Sequence, residues 1–498
     1  MTSKRPLVLI AATVDSGGGA GITADILSIH DHGAWGLPLV NAVSSQSLKR
    51  VAGIENISAA MFSNMLDVAL SDWEEISAVK VGLMPDRKTL DIFLTALETK
   101  LKGVKVVWDP VLTATAGRLE SADLKSNLSR ILKVTTIFTP NLPEALELAG
   151  WDKARLKQDG VFELGRFFVK MGAKNVIIKG GHLGDSVATA DDVFVSERLS
   201  FMMRLPKAAG DGAHGGGCAL SSALAALLAK DYAPEDAAVL AKAYVYHGIL
   251  DPDLQSDGGR PPVGHHGLIC SLKYFPEIFE EGFPQKAEPF PLCPTQLGLY
   301  PVVDSVEWVE TLLAMGVRTI QLRIKDKNDP QLAEKIKRSV FLSKTYKARL
   351  FIDDHYDLAI AAGAYGVHLG MEDLRTADLE KIRKSGLRLG VSTHGLYEML
   401  KGLQLNPSYI ALGHIFPTKS KVMPSKPQGV EKLAHEAALL ENVVPTVAIG
   451  GIKLHNLADV LSTKVGSVAL ITGITQSDDP LLTTQKWLNL CKNGGDEI

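Results

Sequence analysis

From residue 7 to about 230, short apolar runs alternate with segments whose apolar residues recur at helical spacing. The runs "LVLIAAT" (7–13), "LPLVNAVSSQ" (37–46), "AVKVGLM" (78–84), "VKVVWDPV" (104–111), "TTIFTPN" (135–141) and "NVIIKGG" (175–181) read as strands. Segments between them, such as "ITADILSIHDHG" (22–33), carry helical periodicity closed by a glycine. Continuous apolar strands separated by helices predict a parallel sheet covered on both faces. "DDVFVSERLSFMMRLP" (191–206) reads as a hairpin added near its end. Regularity fails from about 252, and both 251–267 and 283–296 are rich in Pro, Gly and charge. A cleaner rhythm starts at 297, with strands at 297–304, 319–325, 349–354, 366–370, 388–394, 409–416, 445–451 and 467–472, each followed by a helical segment. Eight β-α units in about 200 residues predict a small (β/α)8 barrel. The expected organisation is an α/β domain over 1–272, a linker over 273–296 and a barrel domain over 297–498.

Composition narrows the partners. A chain of 498 residues with 46% hydrophobic and 22% charged residues has room for two or three cores. The formal net charge of −3 gives no support to a nucleic-acid or membrane partner, and no run approaches the ~18 apolar residues of a membrane span. Cys218, Cys270, Cys293 and Cys491 form no CxxC pair, which points to a reducing compartment and a cytoplasmic location. "MTSKRPLVLIAATV" imitates a signal peptide, but it runs straight into "DSGGGAG" and reads as a first strand. Small molecules are the expected partners, with homo-oligomerisation left open.

In "HGGGCALSSALAALLAK" (214–230), three glycines run into a cysteine and then a small-residue helix. Such a loop leaves backbone N–H groups free to converge on one spot, where the helix dipole adds partial positive charge. Gly215, Gly216 and Gly217 are therefore a candidate anion cradle. Cys218, in the first turn, is expected to have its thiol pKa lowered. The competing reading is a glycine-rich turn and a helix-start cysteine.

Other motifs join this one. "SGGGAGITAD" (16–25), "SSQS" (44–47), "WDPVLTATAG" (108–117), "TPNLPEA" (139–145), "KGGH" (179–182) and "HGGGCALSSALA" (214–225) together resemble the hydroxymethylpyrimidine and hydroxymethylpyrimidine-phosphate kinases, which have the ribokinase-like α/β/α sandwich fold. The resemblance implies that Asp25 and Gln46 contact the pyrimidine, and that Asp109 and Glu144 organise Mg2+ and ATP. It further implies that Lys179 and the 215–218 loop hold phosphates, and that Cys218 occupies the position of the catalytic base. The chain departs from the usual pattern at Thr13-Val14-Asp15, where Gly-Ser-Asp is typical, and at Ala213, Gly216 and Ala219, where threonine is usual. Taken singly, Asp109 could be only a strand-end cap and Glu144 part of a capping box with Asn141.

The motifs "LYPVVDS", "TIQLRIKD", "LFIDD", "GVHLGMEDL", "LGVSTH", "ALGHIFPTKSK", "VAIGGI" and "ALITGI" fall at expected strand ends and resemble thiamin-phosphate synthase over 297–490. Breaking a C–O bond to diphosphate requires cations around the departing oxygens. Gln321, Arg323 and Lys325 are expected to alternate onto one face of the second barrel strand. The resemblance implies that these residues, with Ser392 and Lys421, hold a pyrimidine diphosphate. It makes Asp354 and Asp373 the Mg2+ ligands, and gives Thr418, Ser420, Gly451, Ile471 and Thr472 to a thiazole phosphate. Asp353, grouped with the diphosphate residues, stands where asparagine is more usual. His368 is assigned no chemistry.

The resemblances imply a bifunctional enzyme: a TIM barrel that couples pyrimidine diphosphate to thiazole phosphate, behind a kinase that makes the diphosphate. The alternatives for the first domain are a pyridoxine-type kinase and a degenerate pyrimidine-binding regulatory module.

Overall fold

The first strand, β1 (Leu7–Asp15), is buried along almost its whole length. Leu7, Leu9 and Ala11 turn into a core shared with Phe62, Leu66, Leu90, Phe93 and Phe168. Ile10 points the other way, where a Cβ at Gly36 would lie 2.9 Å from its Cδ1 and within 3.7 Å of Ile26 and Ile29. Alternate residues thus enter two different apolar layers, which is why the run has no polar face. The structure, a computed structural model, describes residues 5–73, 75–112, 124–180, 188–208, 213–254, 260–285, 288–418 and 425–491. Two compact units divide between Glu281 and Gly282.

The first unit continues through β2 (Trp35–Gln46), β3 (Val51–Asn56), β4 (Ala78–Val81), β5 (Lys105–Trp108), β6 (Ile137–Phe138), β7 (Asn175–Ile178), β8 (Thr189–Ser196), β9 (Ser200–Pro206) and β10 (Glu277–Glu280). They form a ten-stranded sheet in the order β10-β9-β8-β7-β6-β5-β4-β1-β2-β3. The run from β2 to β7 is parallel, whereas β3 and the β8–β10 ribbon close the two edges antiparallel. This is the α/β/α sandwich expected, and the 191–206 hairpin is the β8–β9 pair. The pattern did not reveal β3 or β10, which are short edge strands with exposed positions. The segment expected to link the domains is structured at both ends. β10 belongs to the first sheet, and the Phe290 and Cys293 amides donate to the Asn406 and Ser408 carbonyls of the second unit.

That second unit is a closed barrel of eight strands, β11 (Leu299–Val303), β12 (Thr319–Leu322), β13 (Arg349–Asp353), β14 (Gly366–Leu369), β15 (Arg388–Thr393), β16 (Tyr409–Leu412), β17 (Thr446–Ile449) and β18 (Ser467–Leu470). All neighbours are parallel, as a TIM barrel requires. Tyr300, Phe351, Tyr409, Ala411, Val447 and Ala469 pack together in one buried cluster. Among the described residues, no helix is long and apolar enough to cross a membrane.

One charge pair anchors the first unit. Asp25, on the helix Gly21–Asp31, accepts from Lys80 Nζ of β4 at 2.7 Å, and neither side chain reaches solvent. Ser222 Oγ donates to the other carboxylate oxygen at 2.7 Å. Glycine at 82 makes space, since a Cβ there would stand 2.8 Å from Lys80 Nζ. Removing one member strands a buried charge, so Asp25→Ala should destabilise the first unit by about 3–5 kcal/mol. Asp25→Leu combined with Lys80→Met should lose much less. Denaturant unfolding of the three proteins checks this, and equal losses in the single and double variants would contradict it.

Candidate active sites

In the first unit the carboxyl ends of β1, β2, β5, β6 and β7 meet the start of the helix Gly216–Ala229. After β1 the chain turns through Gly18 (φ 73°) and Gly21 (φ 57°). Asp15 holds this turn by accepting from the Gly17 and Ala20 amides at 2.8 and 2.9 Å. A Cβ at Gly215, whose φ is 82°, would lie 1.9 Å from the Gly19 carbonyl oxygen. The two glycine loops therefore touch backbone to backbone, which a side chain at 215 would prevent. The first N–H groups of the helix have no intrahelical acceptors, and the helix dipole reinforces their positive potential.

Lys179 Nζ donates to Asp109 Oδ1 at 2.8 Å, and Thr139 Oγ1 donates to the same oxygen at 3.2 Å. This pair lies beside the glycine loop, because a Cβ at Gly217 would be 3.3 Å from Lys179 Nζ and 3.4 Å from Asp109 Oδ2. Burial works against the Lys179 charge, but Asp109 and Glu144 raise its pKa. Glu144 forms the capping box: its Oε2 accepts from the Asn141 amide at 2.8 Å, and its own amide donates to Asn141 Oδ1 at 2.9 Å. Burial pushes the Glu144 carboxyl up to about 7; Lys179 opposes the rise and Asp109 adds to it. The cap and the charged site group are the same residue. Gln46 Nε2 lies 3.2 Å from His214 Nε2, which lies 3.1 Å from Asp15 Oδ2.

Two expectations for this unit need correction. Asp25 is sealed in its pair with Lys80 and Ser222, so it supports the site from beneath and does not line it. The Cys218 thiol is not lowered: burial pushes it up to about 11, Lys80 opposes, and Asp25 and Asp109 add to the rise. Desolvation and two carboxylates outweigh the helix dipole. Asp15, His214, Lys80 and Ser222 escaped the sequence reading. The one available signal was Lys80 itself, a lone charge inside the apolar run "AVKVGLM".

In the barrel, Gln321 Nε2 and Arg323 Nε donate to the two oxygens of Asp353 at 2.6 and 2.8 Å. Each oxygen of the Asp353 carboxyl thus has a donor from the neighbouring strand end. Burial and the adjoining Asp354 push Asp353 up to about 7, with Arg323 opposing. Lys325 does not share that face, because β12 ends at Leu322 and Lys325 is exposed in the loop beyond. Asp354 follows β13 with φ 62°, and Asp373 follows β14. Burial and then Asp373 raise the Asp354 carboxyl. Carboxyls at the ends of these neighbouring strands offer the hard oxygen donors a divalent cation takes.

Ser392 Oγ lies 2.7 Å from His368 Nε2, His368 Nδ1 is 2.6 Å from Tyr409 Oη, and Tyr409 Oη is 2.8 Å from Tyr300 Oη. His368 thus ties Ser392 to the barrel interior, a link the sequence did not disclose. On the opposite side, Gly450 and Gly451 turn with φ 104° and 67°. A Cβ at Gly451 would stand 2.7 Å from the Phe416 and Pro417 carbonyl oxygens, which places this turn next to Thr418. A Cβ at Gly473 would be 3.4 Å from the Ile452 carbonyl, so the Ile471–Thr472 corner adjoins the same turn. Ser420 and Lys421 lie outside the described residues.

The comparisons match this division. The family profile described as Phosphomethylpyrimidine kinase matches residues 15–263, and that described as Thiamine monophosphate synthase matches 295–474. A thiamine-phosphate synthase from Pectobacterium atrosepticum is 56% identical over 191 residues, 38% of this chain and 90% of that protein. One from Klebsiella pneumoniae is 54% identical over 208 residues, 42% of this chain and 98% of that protein. A solved phosphomethylpyrimidine kinase from Clostridium difficile is 28% identical, with a TM-score of 0.42, covering 48% of this chain and 97% of that one.

The His368 link has a pH signature. Burial, helped by Arg323, lowers its pKa from 6.5 to about 3. Between these values the unfolded chain binds a proton that the folded chain does not. Stability is therefore complete above the unfolded pKa and falls with acidification by up to about 1.4 kcal/mol per pH unit. His368→Gln keeps a hydrogen-bonding side chain but cannot titrate. Urea midpoints at about pH 7 and pH 5 should separate more in the wild type than in the variant, and equal separation would refute the assignment.

Proposed function

Because the chain belongs to the phosphomethylpyrimidine kinase family over its first unit and to the thiamine monophosphate synthase family over its second, we propose that the two clusters just described are the working sites of these activities. The chain is a bifunctional enzyme of thiamin biosynthesis, with a phosphotransferase and a thiamine-phosphate synthase. The pyridoxine-type and degenerate-module alternatives are not favoured, since the kinase profile runs across both glycine loops and the residues between them. The free cysteines favour a reducing, cytoplasmic setting.

In the kinase, ATP would be the donor and hydroxymethylpyrimidine, then its phosphate, the acceptor. The observation that carries this reading is the approach of the Lys179–Asp109 pair to Gly217 at the mouth of a helix. Phosphoryl transfer depends on positioning and positive potential around the equatorial oxygens. The N–H groups of the 215–218 loop and the Lys179 ammonium supply both. Asp109 and Glu144 would hold Mg2+, which screens the phosphate charge when bound. Gln46, backed by His214 and Asp15, presents an amide to the pyrimidine edge. Cys218 stands in the first helical turn, where the acceptor hydroxyl must lose its proton.

In the synthase, Arg323 and Gln321, fixed by Asp353, would face the diphosphate, with Ser392 held by His368 and with Lys325 and Lys421 adding charge from the loops. Asp354 and Asp373 would hold Mg2+, which supplies further positive charge to that group when bound. The thiazole phosphate would occupy the Gly451, Ile471–Thr472 and Thr418–Ser420 corner. The C–O electron pair leaves with pyrophosphate, the pyrimidine stabilises the resulting cation, and the thiazole nitrogen attacks it. No protein nucleophile is needed.

The kinase assignment is tested on the full chain with ATP and either hydroxymethylpyrimidine or pyridoxine. The pyrimidine should be the better acceptor. A thiol near 11 is rarely ionised at neutral pH. If its thiolate is the base, the rate should climb about tenfold per pH unit from about 7 to 9. Cys218→Ala should flatten the profile, cut the rate by ~10²–10⁴ and leave synthase activity on supplied diphosphate intact. A flat wild-type profile with an unimpaired Cys218→Ala enzyme would remove Cys218 from the chemistry.

A further inference from the structure

The segment 260–267 lies directly on the last turn of the helix Pro234–Leu250. The Gly264 amide donates to the Gly248 carbonyl at 2.9 Å. A Cβ at Gly248 would fall 2.3 Å from the Gly264 oxygen, and one at Gly264 would fall 2.3 Å from the Asp251 oxygen. The two backbones are thus as close as glycine allows, and the His265 amide is held by Asp253 Oδ2 at 2.8 Å. This packing carries His266 to the helix end, where His247 and Asp251 stand one turn apart. One ligand-type atom from each of His247, Asp251 and His266 lies within 4.8 Å of the others.

Neither proposed site uses these residues. The structure leaves His247 Nδ1 buried without a hydrogen-bond partner, an uncommon state for an imidazole nitrogen. Its ring packs against those of His266 and Tyr274, with centroids 4.5 and 4.0 Å away. Asp251 is 73% exposed, so an ion can enter from solvent. His266 Nδ1 is 3.7 Å from Asp253 Oδ1, a gap that a small rotation closes into the hydrogen bond by which a carboxylate orients a ligating histidine. Its Nε2, which meets the Asp251 carbonyl oxygen at 2.5 Å, would turn from that oxygen to an ion.

We propose that His247, Asp251 and His266 bind one divalent transition-metal ion of the Zn2+ class, with Asp253 orienting His266. Two imidazoles and one carboxylate suit zinc and its neighbours and disfavour Mg2+ and Ca2+. Ligands about 2.0–2.2 Å from a tetrahedral ion stand roughly 3.3–3.6 Å apart. The cluster therefore needs only a small contraction, with water as fourth ligand. The ion would staple 260–267 to the helix. The same segment exchanges backbone bonds with His214, whose amide donates to Pro261 at 2.8 Å and whose carbonyl accepts from Val263 at 3.1 Å. The site would thereby brace the histidine beside the glycine loops.

The test uses the full chain, stripped with a chelator and titrated with Zn2+ against a chromophoric competitor, then with Co2+ read by its visible absorption. The wild type should take up one equivalent and show four-coordinate Co2+ bands. His247→Gln with His266→Gln should abolish both signals, and Asp253→Asn should weaken binding by roughly 10–100-fold. Circular dichroism checks the fold of the double variant. Should it not fold, Asp251→Asn, altered at an exposed side chain, gives the same reading. No uptake by the wild type, or uptake unchanged in the folded variants, overturns the site.

Discussion

A carboxylate taken out of water is driven toward its neutral form, and a cation and hydrogen-bond donors beside it oppose that drive. Three such pairs organise this chain. Asp25–Lys80 binds the first helix to the middle of the sheet, Asp109–Lys179 joins the ends of β5 and β7, and Asp353–Arg323 joins the ends of β13 and β12. Each pair links elements distant in sequence, so each fixes a distance on which the neighbouring site relies. Asp109 and Glu144 favour the charged form of Lys179 against its burial, and in the proposed reading that charge is what a phosphate would meet.

Both units place their polar groups at the carboxyl ends of parallel strands, where turns present backbone amides and loops are free of the core. Glycine makes this geometry in both. Gly215 fits against Gly19 only without a side chain, and Gly451 fits beneath Phe416 and Pro417 for the same reason. In the proposed reading both sites would receive phosphate with amides and cations, a task that calls for no activated nucleophile.

Much of this was legible in the residues. Apolar runs and helical periods placed the parallel sheet and the eight barrel strands, and the glycine run marked the mouth of a helix. What failed was long-range. Helix-dipole reasoning assigns Cys218 a low thiol pKa, but the surrounding burial and the carboxylates of Asp25 and Asp109 come from other parts of the fold. The resemblance places Asp25 at the pyrimidine, but the fold sets Lys80 opposite it and buries the pair. Lys325 obeyed strand alternation on paper, but β12 stops three residues earlier. The double hydrogen bond to Asp353 depends on β12 and β13 being neighbours, and the edge strands β3 and β10, with exposed positions, lack the unbroken apolar run that marks the inner strands.

The central claim is that one chain carries a pyrimidine through phosphorylation and then coupling. Its most direct test is product analysis by mass and nucleotide release, using the whole protein with hydroxymethylpyrimidine, ATP and the thiazole phosphate. The account predicts thiamin phosphate and pyrophosphate, with two ADP formed for each thiamin phosphate. Phosphorylation that stops at the monophosphate, or no thiamin phosphate even from supplied pyrimidine diphosphate, would contradict it.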